Sequence, residues 1–334
     1  MSRPAGNDMR GSDSASVVVP VQQAGDVAFL GHRFQPVQLA DKAVLQDYLR
    51  RYPQRVSGYG FASLAAWAEP YGVMWAQVGP ECLLLSRTLD HVGGERHLLQ
   101  PIGQPTAACC AGLLAGAALL PYPLKMVYVA REYMEKNASF CAQFTAEEDR
   151  GGANYIYLAR DLAELAGGRF GKKRNLIAQF LTLYPKWEAM PLDLRCGPLC
   201  REVLLAIAQG DGVATDDPSL QAELQALDFT MAHFDELEQN GLMIRIDGKP
   251  VAFSIFERQN VDTAVVHFEK ADRTFKGLYQ MINRETSRMI AAAGYHLINR
   301  EEDLDRLGLR QAKLSCFPLD VYPVFNLTIT GASS

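Results

Sequence analysis

The chain has 334 residues, of which 48% are hydrophobic and 21% charged, with a formal net charge of -5. That length fits two domains of ordinary size, and the composition is that of a globular protein. The acidic balance excludes a globally basic, nucleic-acid-coating surface and any expectation of a DNA partner, while leaving room for a local basic patch. Seven cysteines, an odd number at irregular spacing, do not form a disulfide framework, and neither close pair (Cys109-Cys110, Cys196 with Cys200) has partners at zinc spacing. They read as reduced, buried thiols of a cytoplasmic protein, with no metal site.

Residues 1–25 are rich in Ser, Gly, Asp and Ala and are expected to form a disordered tail. A helix is expected over 41–51, with Val44, Leu45, Tyr48 and Leu49 on one face. Phe61, Leu64 and Trp67 recur at helical spacing. Residues 73–77 and 82–86 read as a strand pair around the Gly79-Pro80-Glu81 turn, and 124–129 as a further strand. The apolar segment 107–120 is too short to span a bilayer, which needs about 20 residues, and is expected to be a buried helix. The polar run 147–152 reads as a loop and sets the expected domain boundary, giving domains 26–150 and 151–334.

The second half opens with Asn154-Tyr155-Ile156-Tyr157 and a short helix in which Asp161 and Glu164 have capping-box spacing. Helices are expected over 172–183 (Leu176, Ile177, Phe180 and Leu181 inward), 198–209 and 218–239. Residues 242–246 and 251–256 flank Asp247-Gly248, a strong hairpin pattern. Strand 263–268, helix 277–293, strand 295–299, a helix over 304–314 and strand 321–328 complete the chain. Three antiparallel strands, helix, strand, helix, strand is the element order of the GNAT acyltransferase core. The fold class is therefore α+β (mixed α/β).

Four features carry candidate chemistry. Arg273, Lys276 and Gly277 precede a helix whose free N–H groups and positive dipole could hold a donor phosphate. The spacing departs from the usual GNAT phosphate loop, and an ordinary solvated turn explains it as well. Lys172, Lys173, Arg174 and Asn175 form a cationic helix start, an anion site or a solubilising patch. His267 and Glu269, two apart on a strand, are expected on one face, where either could take the proton of an attacking amine. Asn299 and Glu301 lie at the next strand's end, where Asp303 is expected to cap the helix.

Asn154-Tyr155-Ile156-Tyr157, Lys172-Lys173-Arg174-Asn175, Phe268-Glu269-Lys270-Ala271-Asp272, Gly277-Leu278-Tyr279-Gln280-Met281-Ile282-Asn283, Asn299-Arg300-Glu301-Glu302-Asp303 and Leu309-Arg310-Gln311-Ala312-Lys313-Leu314-Ser315 occur in this order. With Ser57, Tyr59, Phe61, Ser63, Leu64 and Trp67 near the start, they resemble the bacterial family related to the C-terminal domain of phosphatidylglycerol lysyltransferase. The resemblance implies two tandem GNAT-like domains, akin to the Fem peptidyltransferases, each a mostly antiparallel sheet flanked by helices. It implies transfer of an acyl or aminoacyl group, with aminoacyl-tRNA or acyl-CoA as donor substrate and a small molecule, peptide or lipid head group as acceptor. It adds Tyr157 and Lys313 as lining residues. An acetyl-CoA-dependent N-acetyltransferase and a non-catalytic anion-binding module of the same fold are the alternatives.

Overall fold

The computed structural model describes residues 25–89 and 94–329. The expected tail lies outside the described residues except for Gly25. Among the described residues fourteen strands form one sheet. Its path runs Val27–Phe29, His32–Pro36, Met74–Gln77, Cys82–Thr88, Arg96–Leu99, Lys125–Ala130, Asp320–Ile329, Phe144–Leu158, Leu297–Asn299, Thr263–Ala271, Lys249–Arg258, Asn240–Ile246 and Trp187–Pro191. The short strand Ile102–Gly103 pairs beside Cys82–Thr88.

Two neighbouring pairs in this path are parallel, one in each half of the chain: Arg96–Leu99 with Lys125–Ala130, and Thr263–Ala271 with Leu297–Asn299. In each half three antiparallel strands lead to the parallel pair. The strand Asp320–Ile329 flanks the first parallel pair and Phe144–Leu158 the second, and these two strands pair with each other at the centre. The final strand of the chain thus completes the first unit, and the two units share one sheet. The loop expected over 147–152 is strand instead. Glu147, Glu148 and Asp149 pair with Asn326, Phe325 and Val324, so the charged run is an exposed ladder whose backbone groups are satisfied.

The C-terminal elements follow the expected order. Asp247 and Gly248 both have positive φ, 50° and 78°, the geometry of the tight turn that suits strand twist. Helix Leu278–Ala292 buries Leu278, Met281, Ile282 and Ile290 against the face that also holds Tyr155, Tyr157 and Phe180. Helices Gly197–Gly210 and Pro218–Ala232 cover the opposite face, packing Cys200, Leu204 and Leu227 on Phe253 and Phe268.

Three burial expectations fail, the first at Val44, which is 41% exposed on helix Lys42–Arg51. Helix Ala107–Ala117 buries only Cys109, Leu113 and Ala117, because alanine and glycine on its other faces offer too little apolar area to demand cover. Leu181 is 40% exposed, since helix Gly171–Leu183 presents only Ile177 and Phe180 fully to the core. Among the described residues no helix is long and apolar enough to cross a membrane.

Candidate functional site

The strand pair Thr263–Ala271 and Leu297–Asn299 is in register only from Thr263↔Leu297 to Val265↔Asn299, after which the strands part. A β-bulge sits just past that point. Ile255 pairs with Phe268 but Phe256 pairs with Val266, so His267 is the extra residue. Ala264 and Val266 pack into one core and Phe268 into the other. The bulge therefore breaks the alternation, and His267 and Glu269 do not share a face as expected.

His267 is held between two carboxylates. Its Nε2 lies 2.8 Å from Glu257 Oε1 and its Nδ1 2.8 Å from Glu301 Oε1. Burial alone would lower the imidazole pKa, but the hydrogen bonds and charges of Glu257 and Glu301 push it up to about 10. With both nitrogens engaged and the pKa raised, this arrangement does not favour His267 as a general base. Glu301 is correspondingly committed to the ring.

Glu269 is likewise occupied. Its Oε1 accepts from Arg300 Nη2 at 2.6 Å and its Oε2 from Asn283 Nδ2 at 3.1 Å, with both charged side chains under 10% exposed. Both of its oxygens are engaged, one of them in fixing Arg300. Asn299 is fully buried, and its amide reaches the Arg55 carbonyl of the first half at 3.4 Å. Its amide also reaches Asn154 Oδ1 at 2.9 Å and Gln259 Oε1 at 3.1 Å, while its Oδ1 accepts from the Glu301 N–H.

The helix tip is engaged by neighbouring groups. Arg273 is 75% exposed and faces Asp211 at 3.4 Å. The Lys276 N–H donates to Tyr184 Oη. Gly277 has φ +83°, and a Cβ built there would lie 2.3 Å from the Leu176 carbonyl oxygen. The glycine admits the backbone of helix Gly171–Leu183 at this point. Gly277→Ala should therefore destabilise the protein by about 1–3 kcal/mol, read as a lower urea midpoint, from left-handed strain and the displaced helix.

Of the cationic helix start, Lys172 and Asn175 are exposed. Arg174 donates to the Leu165 and Gly167 carbonyls at 2.5 and 2.7 Å, capping the end of the preceding helix. Lys173 behaves differently: its Nζ donates to Ser315 Oγ at 3.1 Å at the edge of a cavity.

That cavity, about 120 Å³, is lined by Lys173, Arg300 and Lys313, by Tyr279, Gln280, Asn283, Ser315 and Cys316, and by Leu165, Leu309 and Ala312. Lys313 is 7% exposed, and its Nζ donates to the Arg300 carbonyl. Burial and the Arg300 charge push Lys313 down to about 8 against the pull of Glu302. Tyr157, fully buried, sits behind the lining and anchors the Lys313 carbonyl through its Oη at 2.9 Å. The N-terminal counterpart of this opening is filled. There the Gln100 N–H donates to Tyr59 Oη, its Oε1 accepts from the Ala130 N–H, and its Nε2 donates to Gln54 Oε1, each at 2.8 Å.

Of the lining residues the sequence singles out Lys173 and Lys313, and it does not single out Tyr279, Gln280, Asn283, Arg300, Ser315 and Cys316. All but Cys316 stand inside the motifs that carry the family resemblance, so the pattern was visible without its geometry.

Asp303 does not cap a helix, which begins only at Leu307 with Arg306 before it. It is fully buried and accepts from Tyr155 Oη at 2.6 Å, Arg310 Nε at 2.8 Å, the Asp305 N–H at 2.9 Å and Arg150 Nη1 at 3.3 Å. Burial would raise its pKa, but the bonds from Arg310, Tyr155 and Asp305 hold it down to about 2. A depressed carboxyl adds stability above its unfolded pKa and loses it as pH falls through the folded one. The stability gap between the unaltered protein and Asp303→Asn should therefore be full above about pH 4 and shrink toward pH 2, measured by urea unfolding.

Comparison with known proteins agrees with this architecture. Residues 49–327 match the family model described as phosphatidylglycerol lysyltransferase, C-terminal, and the chain belongs to that family. A conserved protein of unknown function from Bacteroides thetaiotaomicron superposes with a TM-score of 0.80 at 29% identity, covering 89% of this chain and 99% of that one. L-PGS from Bacillus licheniformis gives 0.61 at 13% identity over 90% and 95% of the two chains. A tandem GNAT protein from the clavulanic acid biosynthesis pathway gives 0.50 at 12% identity over 90% and 99%. Searched by sequence, no curated protein matches the chain. The fold is that of tandem GNAT-like units, as expected.

Proposed function

We propose that this member of the phosphatidylglycerol lysyltransferase C-terminal family is an acyl- or aminoacyltransferase that works in the C-terminal cavity. One observation carries the reading: where the parallel strands part, a cavity is faced by three cationic side chains and by no acidic one. Preorganised cations in a poorly hydrated site stabilise negative charge that develops on a carbonyl oxygen, without reorganising at the moment of reaction. Arg300 meets that requirement because Glu269 pins it. Lys313, brought down to about 8, lies close enough to neutrality to exchange a proton at physiological pH.

In the proposed reaction an acceptor amine or hydroxyl attacks the donor carbonyl and a tetrahedral oxyanion forms beside Arg300. The bond to the donor's ribose oxygen then breaks as the Lys313 ammonium donates a proton to that leaving oxygen, and the amine so formed takes up the acceptor's proton. Aminoacyl-tRNA is the donor favoured by family membership, which makes tRNA a partner and the cytoplasm the compartment. The close backbone contact at Gly277 counts against coenzyme A, whose pyrophosphate would need that helix tip. The acceptor is a small molecule, a peptide or a lipid head group.

Thermal shift tests the reading, since a ligand at 100 times its Kd adds about 2.7 kcal/mol of stability. Charged tRNA should raise the melting temperature and acetyl-CoA should not. Stabilisation by acetyl-CoA alone would replace the reading with N-acetyl transfer. No response to any acyl donor would leave a non-catalytic anion-binding module.

A further inference from the structure

We propose that the cavity selects the transferred group, and that it takes a small aminoacyl group ending in a carboxylate and rejects a basic one such as lysyl. The inference rests on the transferase reading above and adds the substrate class to it. Its basis is the sign and size of the lining. Lys173, Arg300 and Lys313 face the space, while the carboxylates that balance them stand outside the lining, Glu269 behind Arg300 among them. A lysyl side chain entering here would bring a fourth cation into a half-closed space with no acidic partner, a costly arrangement.

The donors needed by an anion are free to serve it. Arginine carries five N–H donors. In Arg300 the Glu269 bond uses Nη2, and Nη1 meets only the weak acceptor Cys316 Sγ at 3.6 Å among the described residues. Lys313 spends one donor on the Arg300 carbonyl and keeps two. Asn283 and Gln280 add polar edges, while Leu165, Leu309 and Ala312 supply an apolar wall for a one- or two-methylene stem. At about 120 Å³ the space suits a group of roughly aspartyl or glutamyl size and cannot enclose a nucleotide.

The state of Lys313 agrees. Burial first and then the Arg300 charge hold its pKa down to about 8, against the pull of Glu302, Glu301 and Glu269. A bound carboxylate would restore the ammonium, so acidic ligands should bind best below about pH 8 and weaken above it.

Titration calorimetry on the full chain with 3′-aminoacylamino-3′-deoxyadenosine probes tests the proposal. The probes mimic a charged tRNA end and carry aspartyl, glutamyl, alanyl or lysyl groups. The acidic probes should bind about tenfold or more tighter than alanyl, with lysyl weakest. The preference should vanish in Glu269→Gln/Arg300→Gln, which removes the cavity cation together with its buried partner, and should shrink in Lys173→Ala at the rim. A lysyl probe that binds as well as the acidic ones overturns the proposal. So does binding of glycerol 3-phosphate in the cavity with no acidic preference among the probes, which would give the space to an acceptor phosphate and leave the transferase reading standing. If neither the probes nor charged tRNA bind, the transferase reading itself fails.

Discussion

Replacing His267 by glutamine should destabilise the protein by about 3–5 kcal/mol, the range for breaking a buried ion pair and leaving its partners uncompensated. The imidazolium bridges Glu257 and Glu301 at 2.8 Å on each side, with side-chain exposures of 9%, 12% and 25%. Without it the two carboxylates repel each other across a poorly hydrated gap. The triple change His267→Gln/Glu257→Gln/Glu301→Gln should recover much of the loss, because it removes the charges along with the bridge. The pH dependence has a definite sign. A histidine whose folded pKa is raised from about 6.5 to about 10 contributes stability in full below pH 6.5 and loses it as pH rises toward 10. The gap between the unaltered protein and His267→Gln should therefore narrow between pH 6.5 and 9 in urea unfolding. A constant gap would mean that the ring is neutral in the fold.

Replacing Arg300 by glutamine should have a comparable cost to stability, again about 3–5 kcal/mol, since Glu269 would remain 6% exposed with only Asn283 as a partner. It should also remove substrate binding, because the cavity loses the cation that Glu269 holds in place. The double variant Glu269→Gln/Arg300→Gln separates the two effects. Stability should largely return, as amides replace a charge pair of similar shape, while ligand binding stays about tenfold or more weaker. Recovery of both would reduce Arg300 to a structural role.

The order of the C-terminal elements was legible in the sequence because each carries a local mark. Asp247-Gly248 sets the hairpin, and the spacing of Leu278, Met281, Ile282 and Ile290 sets the helix face. The family motifs added the tandem arrangement. The side chains that meet were less legible. Strand Thr263–Ala271 is buried on both faces over Ala264, Val265 and Val266, so no polar alternation reveals the register, and a one-residue bulge at His267 turns Phe268 and Glu269 to new faces. Arg174 and Lys173 are adjacent in a basic run, yet one caps carbonyls and the other reaches the cavity rim. Charge density cannot distinguish them. Gly277 reads as a glycine for a phosphate, while in the fold its missing side chain admits a neighbouring helix backbone. Arg300 stood in a cluster of four charged residues in a row, and only the parting of the strands singles it out.

The proposed site thus lies at the Arg300–Lys313 cavity and not at the helix tip beside Arg273 and Lys276. The most direct test is titration of the protein with charged tRNA against two pairs of changes, one in the cavity (Lys173→Ala and Glu269→Gln/Arg300→Gln) and one at the tip (Arg273→Ala and Lys276→Ala). The cavity changes should each weaken binding by about tenfold or more and the tip changes by less than about twofold. Loss of affinity on changing Arg273 or Lys276, with the cavity variants binding as tightly as the unaltered protein, would contradict the assignment.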